Sequence, residues 1–187
     1  IGLVLPIVSM LDWVYEGWER GLSFASPWIP IRDSLLLASF GALVTVAFAC
    51  TPAWEAARSR YGKWFSLFSY IASALPGVLL AFGLMRASLA LTAHTGGYIL
   101  ITSSGLLLFI GYAMRFMAEA FGPIYSGVSQ LDRRQEESAA LLGASDAKWF
   151  RQIAFPQLKP NISAAYLIAF LAIIKELPVT LLLGGST

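Results

Sequence analysis

Charge is scarce in this chain: Asp, Glu, Lys and Arg make up 13% of 187 residues, against 57% hydrophobic residues. A soluble domain of this length carries about a quarter charged residues. The deficit, with a mean hydropathy of +0.68, points to a bilayer. Cysteine is nearly absent as well. Cys50 alone excludes an intramolecular disulfide framework, and it reads as a small buried apolar residue. His94 is the only histidine; it is expected in an outer loop and leaves little scope for a metal cluster. No low-complexity tract, internal repeat or separate soluble domain is present. The sequence starts at Ile1 and stops at Thr187 just past an apolar run, and it reads as a piece of a longer protein.

What the chain does have is long apolar runs. About 20 such residues cross a membrane as a helix. Ser34–Ala53, Trp64–Met85, Tyr98–Met117 and Ile162–Leu183 meet or approach that length, and Ile1–Tyr15 is a fifth, shortened span. The expected class is therefore all-α, a polytopic transmembrane helical bundle of about five spans. Lys and Arg set its orientation. Arg58, Arg60, Lys63, Arg115, Arg133, Arg134, Lys148, Arg151 and Lys159 lie on one side, nine against Arg20, Arg32 and Arg86 on the other. The Arg58–Lys63 turn and the Gln130–Pro160 loop are thus cytoplasmic, and Glu16–Asp33 is outside. Trp13, Tyr15, Trp18 and Trp28 suit an aromatic belt there.

The cytoplasmic loop is the one long polar insertion, at about residues 130–160. Leu131–Leu142 predicts a helix stopped by Gly143, since glycine takes the left-handed conformation without steric cost. Ser145 can cap a second helix with Asp146 in its first turn. Trp149, Phe150 and Ile153 give that helix one apolar face, and Pro156 is expected to end it. By composition alone an amphipathic helix lying on the bilayer fits equally well.

Within the spans, Lys175 and Glu176 interrupt the last apolar run, with Pro178 close behind. Lys175 lies roughly 20 Å along the helix from Ile162, beyond the middle of a core ~30 Å thick. Charges at that depth cost ~3 kcal/mol or more and face a cavity or a partner. A pathway or gate is one reading. Snorkelling of Lys175 and pairing of Glu176 with a neighbouring helix is the other. Pro76-Gly77 marks a kink in the third span, with Tyr70 and Ser73 placed to satisfy freed backbone groups. Arg115 and Glu119, four residues apart, are expected to form an interfacial ion pair.

Glu137 to Pro156, ESAALLGASDAKWFRQIAFP, resembles the EAA loop of ABC-transporter permeases. Glu137, Ala139, Gly143, Ile153 and Pro156 fall at the matching spacings, while Ser138 and Phe155 replace the usual Ala and Leu. Ile173–Leu183, IIKELPVTLLL, resembles the K-E-L-P segment of ferric-iron type permeases, and Tyr70–Leu84 resembles their Pro-Gly span. After T-L-L-L this chain has Gly184-Gly185 where that group often has Arg-Pro.

The resemblance implies a type I (MetI-like) importer permease domain over 1–187, multi-pass in a bacterial inner membrane. It implies ABC ATPase subunits docked on the loop through Glu137, Ser138, Ala139, Gly143, Ile153 and Pro156. It also implies a periplasmic binding protein and a second permease half, with the lipid bilayer around them and no nucleic acid. Lys175, Glu176, Pro178 and Pro76 become candidates for the path or gate. No cofactor or metal is expected on the chain itself. No stretch resembles a Walker A phosphate loop, so ATP and Mg are expected on the partner. Thiamine, sulfate, molybdate and polyamine permeases share the architecture, so these are alternative substrates to ferric iron. A non-transporting scaffold subunit is a further alternative, and a membrane enzyme would need clustered acids, bases or nucleophiles that the sequence does not offer.

Overall fold

The computed structural model describes residues 4–19, 28–95, 105–176 and 179–180. Every regular element among them is helical, as expected. The chain divides into two compact units, Ile1–Ser34 and Leu35–Thr187. The first contains α1, Val4–Glu19. Its Pro6 sits in the first turn, where a missing N–H breaks no helical bond. Apolar side chains such as Val4, Leu11 and Trp13 are exposed, which suits lipid rather than water.

The long α2, Trp28–Arg58, lies in the second unit from Leu35 onward and shows how sequence sets packing. Ala38, Ala42, Val46, Ala49 and Ala53 form a buried stripe, and Phe40, Leu43 and Phe48 point outward. Small residues let helices approach closely where lipid supplies no hydrophobic drive. Buried Thr45 returns its hydroxyl to the Gly41 carbonyl at 2.8 Å. Gly41 itself has no room for more: a Cβ there would stand 2.8 Å from the Tyr112 ring.

The remaining elements are α3 (Gly62–Ile71), a 3-10 turn (Ala72–Ala74), α4 (Gly77–Thr95), α5 (Leu106–Arg115), α6 (Met117–Ser129), α7 (Arg133–Leu141), α8 (Asp146–Trp149), a π turn (Phe150–Ala154) and α9 (Phe155–Ile174). Among the described residues, Ile31–Arg58 and Asp146–Ile174 are long and apolar enough to cross a membrane unbroken, and α5 with α6, bent by 57°, reaches that length only as a pair, a broken span or a re-entrant loop. The expected Trp64–Met85 span is split at the 3-10 turn and Pro76 between α3 and α4, and the first expected span is a 16-residue helix. His94 lies in the helical backbone of α4 rather than in a loop.

Two further expectations need correction. Pro156 does not end the loop's second helix. A π turn precedes it, with the Phe155 N–H bonded to the Phe150 carbonyl, and Pro156 then occupies the first turn of α9. The wider π turn accommodates the proline inside a helical segment that runs on through it. Nor do Arg115 and Glu119 pair. The bend at Phe116 (φ −108°, ψ 15°) removes the regular one-turn geometry, and the Arg115 Nη1 donates instead to the Ser73 carbonyl at 2.7 Å.

Two apolar clusters hold the second unit. One gathers Ala53, Phe121, Ile124, Trp149, Ala154 and Leu158; the other gathers Ala42, Ala81, Leu108, Tyr112, Phe116 and Ile173. α6 lies close along α9, where Gly127 faces Asn161 and the Asn161 amide donates to the Pro123 carbonyl at 3.2 Å.

Candidate coupling loop and membrane break

The loop is a preformed knob. Asp132 caps α7, its carboxylate accepting from the Arg134 N–H at 2.9 Å. At the other end Gly143 takes φ +76°. Its N–H bonds to the Ala140 carbonyl and that of Ala144 to the Ala139 carbonyl, both at 2.9 Å. This paired closure satisfies carbonyls that a helix end leaves open. Ser145 then starts α8, its hydroxyl accepting from the Lys148 N–H. Helix, tight turn and helix are thus each fixed by local chemistry.

The knob is tied to the membrane part at the end of α2. The Arg58 guanidinium lies over the Trp54 and Trp149 rings, 5.2 and 5.6 Å from their centroids. Its Nη1 donates to Glu136 at 2.5 Å, and Arg133 closes the Arg58 carbonyl at 3.0 Å. Trp54 meets Trp149 and Phe150 edge-on. A side-chain bond from Gln157 to Gln135 joins α9 to α7 at 3.2 Å. Among the described residues, Arg58 Nη2 and Trp149 Nε1 are buried without hydrogen-bond partners.

Glu136, not singled out by the motif, therefore faces inward. Glu137 is exposed and makes no ion pair or hydrogen bond among the described residues. It borders a groove of about 490 Å³ with Trp54, Arg58, Arg133 and Asp146. Ser138 and Ile153 border a second groove, about 530 Å³, between α7 and α8, with Arg134, Leu142 and Lys148. Gly143 and Pro156 are exposed, and Ala139 is buried beneath the knob. Leu141 and Leu142 stand 88% and 87% exposed at its tip, which marks the knob as a surface awaiting cover.

Deeper in the protein, the two chain breaks meet. α9 ends at Ile174, Lys175 closes it, and Glu176 leaves the helix. The Glu176 carboxylate lies against Gly77, the first residue of α4 after Pro76, with Val179 and the Arg115 Nε also near. An anion suits a helix N-terminus, where backbone N–H groups are unpaired. Below it the Tyr112 hydroxyl hydrogen-bonds Thr180 at 2.6 Å, and Thr180 donates to the Glu176 carbonyl. Lys175 is exposed and away from this cluster's hydrogen bonds. Pro178 lies outside the described residues. Arg115 was legible only as a helix-end charge; its place beside Glu176 depends on contacts distant in sequence.

Comparison with known proteins agrees with this geometry. Residues 34–187 match the family model described as binding-protein-dependent transport system inner membrane component. The chain is 27% identical over 190 residues to the Fe(3+)-transport system permease protein FbpB 2 of Haemophilus influenzae, covering all of this chain and 36% of that one. It is 24% identical over 153 residues to the ferric transport system permease protein FbpB of Actinobacillus pleuropneumoniae, 81% of this chain and 21% of that one. To the putrescine transport system permease protein PotI of Escherichia coli K12 it is 26% identical over 193 residues, 95% of this chain and 65% of that one. The chain thus spans about a third or less of the two ferric relatives. A membrane part with a structured polar knob and a family match over residues 34–187 has one assignment: the chain belongs to the inner-membrane components of binding-protein-dependent transport systems.

Proposed function

We propose that this chain is a membrane-spanning part of an ATP-driven importer for ferric iron. It takes the ion from a periplasmic binding protein and passes it to the cytoplasm by alternating access, with a second permease half completing the path. The observation that carries the reading is the α7–α8 knob, locally rigid and tied to α2, yet exposed at Glu137 and its leucine tip. Such a knob fits a cleft on a separate ATPase subunit that binds ATP and Mg. Glu137 there meets a basic residue, Gly143 makes the turn, and Ser138, Ala139, Ile153 and Pro156 shape the docking face. For coupling, the cleft must hold the knob differently in its two nucleotide states.

Pro76, Lys175, Glu176 and Pro178 then belong to the path or its gate. The meeting of Glu176 with Gly77 supports this, because broken helices at membrane depth are tolerated where backbone lines protein or a cavity. Ferric iron is favoured by the two ferric relatives. A polyamine is the second reading, favoured by the putrescine permease at nearly the same identity.

The test is uptake by the full-length chain reconstituted with its ATPase and binding protein. Saturable, ATP-dependent uptake of labelled ferric iron, with putrescine, thiamine and sulfate left outside, is the expected result. Uptake of putrescine instead keeps the importer and replaces the substrate. No ATP-dependent uptake of any solute, with the complex assembled, overturns the importer reading in favour of a scaffold subunit.

A further inference from the structure

We infer that Arg58 is the positioning residue that makes α2 follow the α7–α8 knob. The inference rests on the coupling reading of that knob. α9 needs no such device, because α8, the π turn and α9 run on as one helical segment of 29 residues. A push on the knob reaches α9 through the backbone. α2 reaches the knob from a distant part of the chain: Trp54 adds an apolar edge-on contact with Trp149 and Phe150, while the polar side-chain tie to Glu136 and the cation–π contact with Trp149 pass through Arg58.

The chemistry of the tie is specific. The guanidinium lies beside two rings that meet edge-on, 5.2 Å from the Trp54 centroid and 5.6 Å from that of Trp149, while its planar fork of donors reaches Glu136. Trp54 belongs to α2, Trp149 to α8 and Glu136 to α7. The side chain is 15% exposed, and its Nη2 has no hydrogen-bond partner among the described residues. A buried cation with an unmet donor is a poor way to gain stability, since apolar residues of similar volume do as well or better. It is a good way to fix orientation. Arg133 adds a second connection by closing the Arg58 carbonyl. Farther along, α2 is joined to α9 by the Ser39–Tyr166 hydrogen bond at 2.5 Å. Knob, α2 and α9 thus form a closed frame whose one corner is Arg58.

The test uses the full-length chain assembled with its ATPase, with native cysteines replaced. Spin labels are placed at Ala147→Cys on α8 and Phe48→Cys on α2, both exposed positions. With Arg58 present, the label distance is narrow and the same with and without ATP. Arg58→Lys keeps the charge but loses the planar fork that reaches Glu136 beside both rings, and there the distribution is expected to broaden and to shift with ATP. Glu136→Gln, the milder variant, broadens it less. In liposomes, labelled iron moved per ATP hydrolysed falls about tenfold in Arg58→Lys, the scale of a desolvated cation–π contact. A merely structural role would lower uptake and hydrolysis together. Narrow, ATP-independent distances in Arg58→Lys and Arg58→Ala overturn the inference. If putrescine is the solute carried, the same ratio is read with putrescine. If Glu137→Arg leaves hydrolysis coupled, the docking reading fails separately, and the label distances still judge Arg58.

Discussion

The Glu176 carboxylate packs so closely on Gly77 that a Cβ at that glycine would lie 2.5 Å from its Oε1. The contact joins the break after Pro76 to the break after Ile174. Gly77→Ala is therefore expected to force Glu176 aside. That oxygen is the far end of a flexible side chain, so the cost is small, ~1 kcal/mol or less, at the low end of overpacking. Melting of the purified protein in detergent should show that loss, and Glu176→Ala combined with Gly77→Ala should recover most of it. A double variant no more stable than Gly77→Ala would place the strain elsewhere.

A second glycine works through backbone conformation. Gly143 has φ +76° and open space around it, so Gly143→Ala meets no clash but strains the left-handed turn. The expected cost is ~1 kcal/mol, and Gly143→Asn should lose less because asparagine visits that region more readily. Hydrogen exchange of the Ala144 amide, which closes on Ala139, reads this locally. Equal exchange in all three proteins would show that the turn does not depend on glycine.

Close approach of α6 and α9 makes a third case. A Cβ on Gly127 would stand 2.6 Å from the Asn161 Cγ, and Asn161 is itself held by the Pro123 carbonyl. Gly127→Ala is predicted to destabilise by ~1–3 kcal/mol, measured by detergent melting. Asn161→Ala in the same chain gives the added methyl room and should restore part of it.

Much of this fold was legible from local pattern. The apolar runs gave helices, Gly143 and Ser145 gave the turn, and Pro76-Gly77 gave a break, because each is decided within a few residues. The Pro156 expectation failed for a reason beyond pattern. Proline stops a helix only when its missing N–H falls where a bond is due, and the π turn at Phe150–Ala154 moves that position. Arg115 and Glu119 failed likewise, since four-residue spacing pairs charges only on an unbroken helix and Phe116 breaks this one. Arg58 with Glu136, and Glu176 with Gly77, are separated by 78 and 99 residues. Nothing local announces such partners. The roles proposed for Glu137 and the other loop residues rest on motif and exposure together.

The central claim is that the knob receives work from an ATPase through Glu137. It is tested most directly by Glu137→Arg in the full-length chain, reconstituted with ATPase and binding protein. The account predicts normal membrane insertion, loss of binding-protein stimulation of ATP hydrolysis, and uptake lowered at least about tenfold, the size of a lost charge-assisted contact at an interface. Stimulated hydrolysis and uptake at wild-type rates in that variant would contradict it.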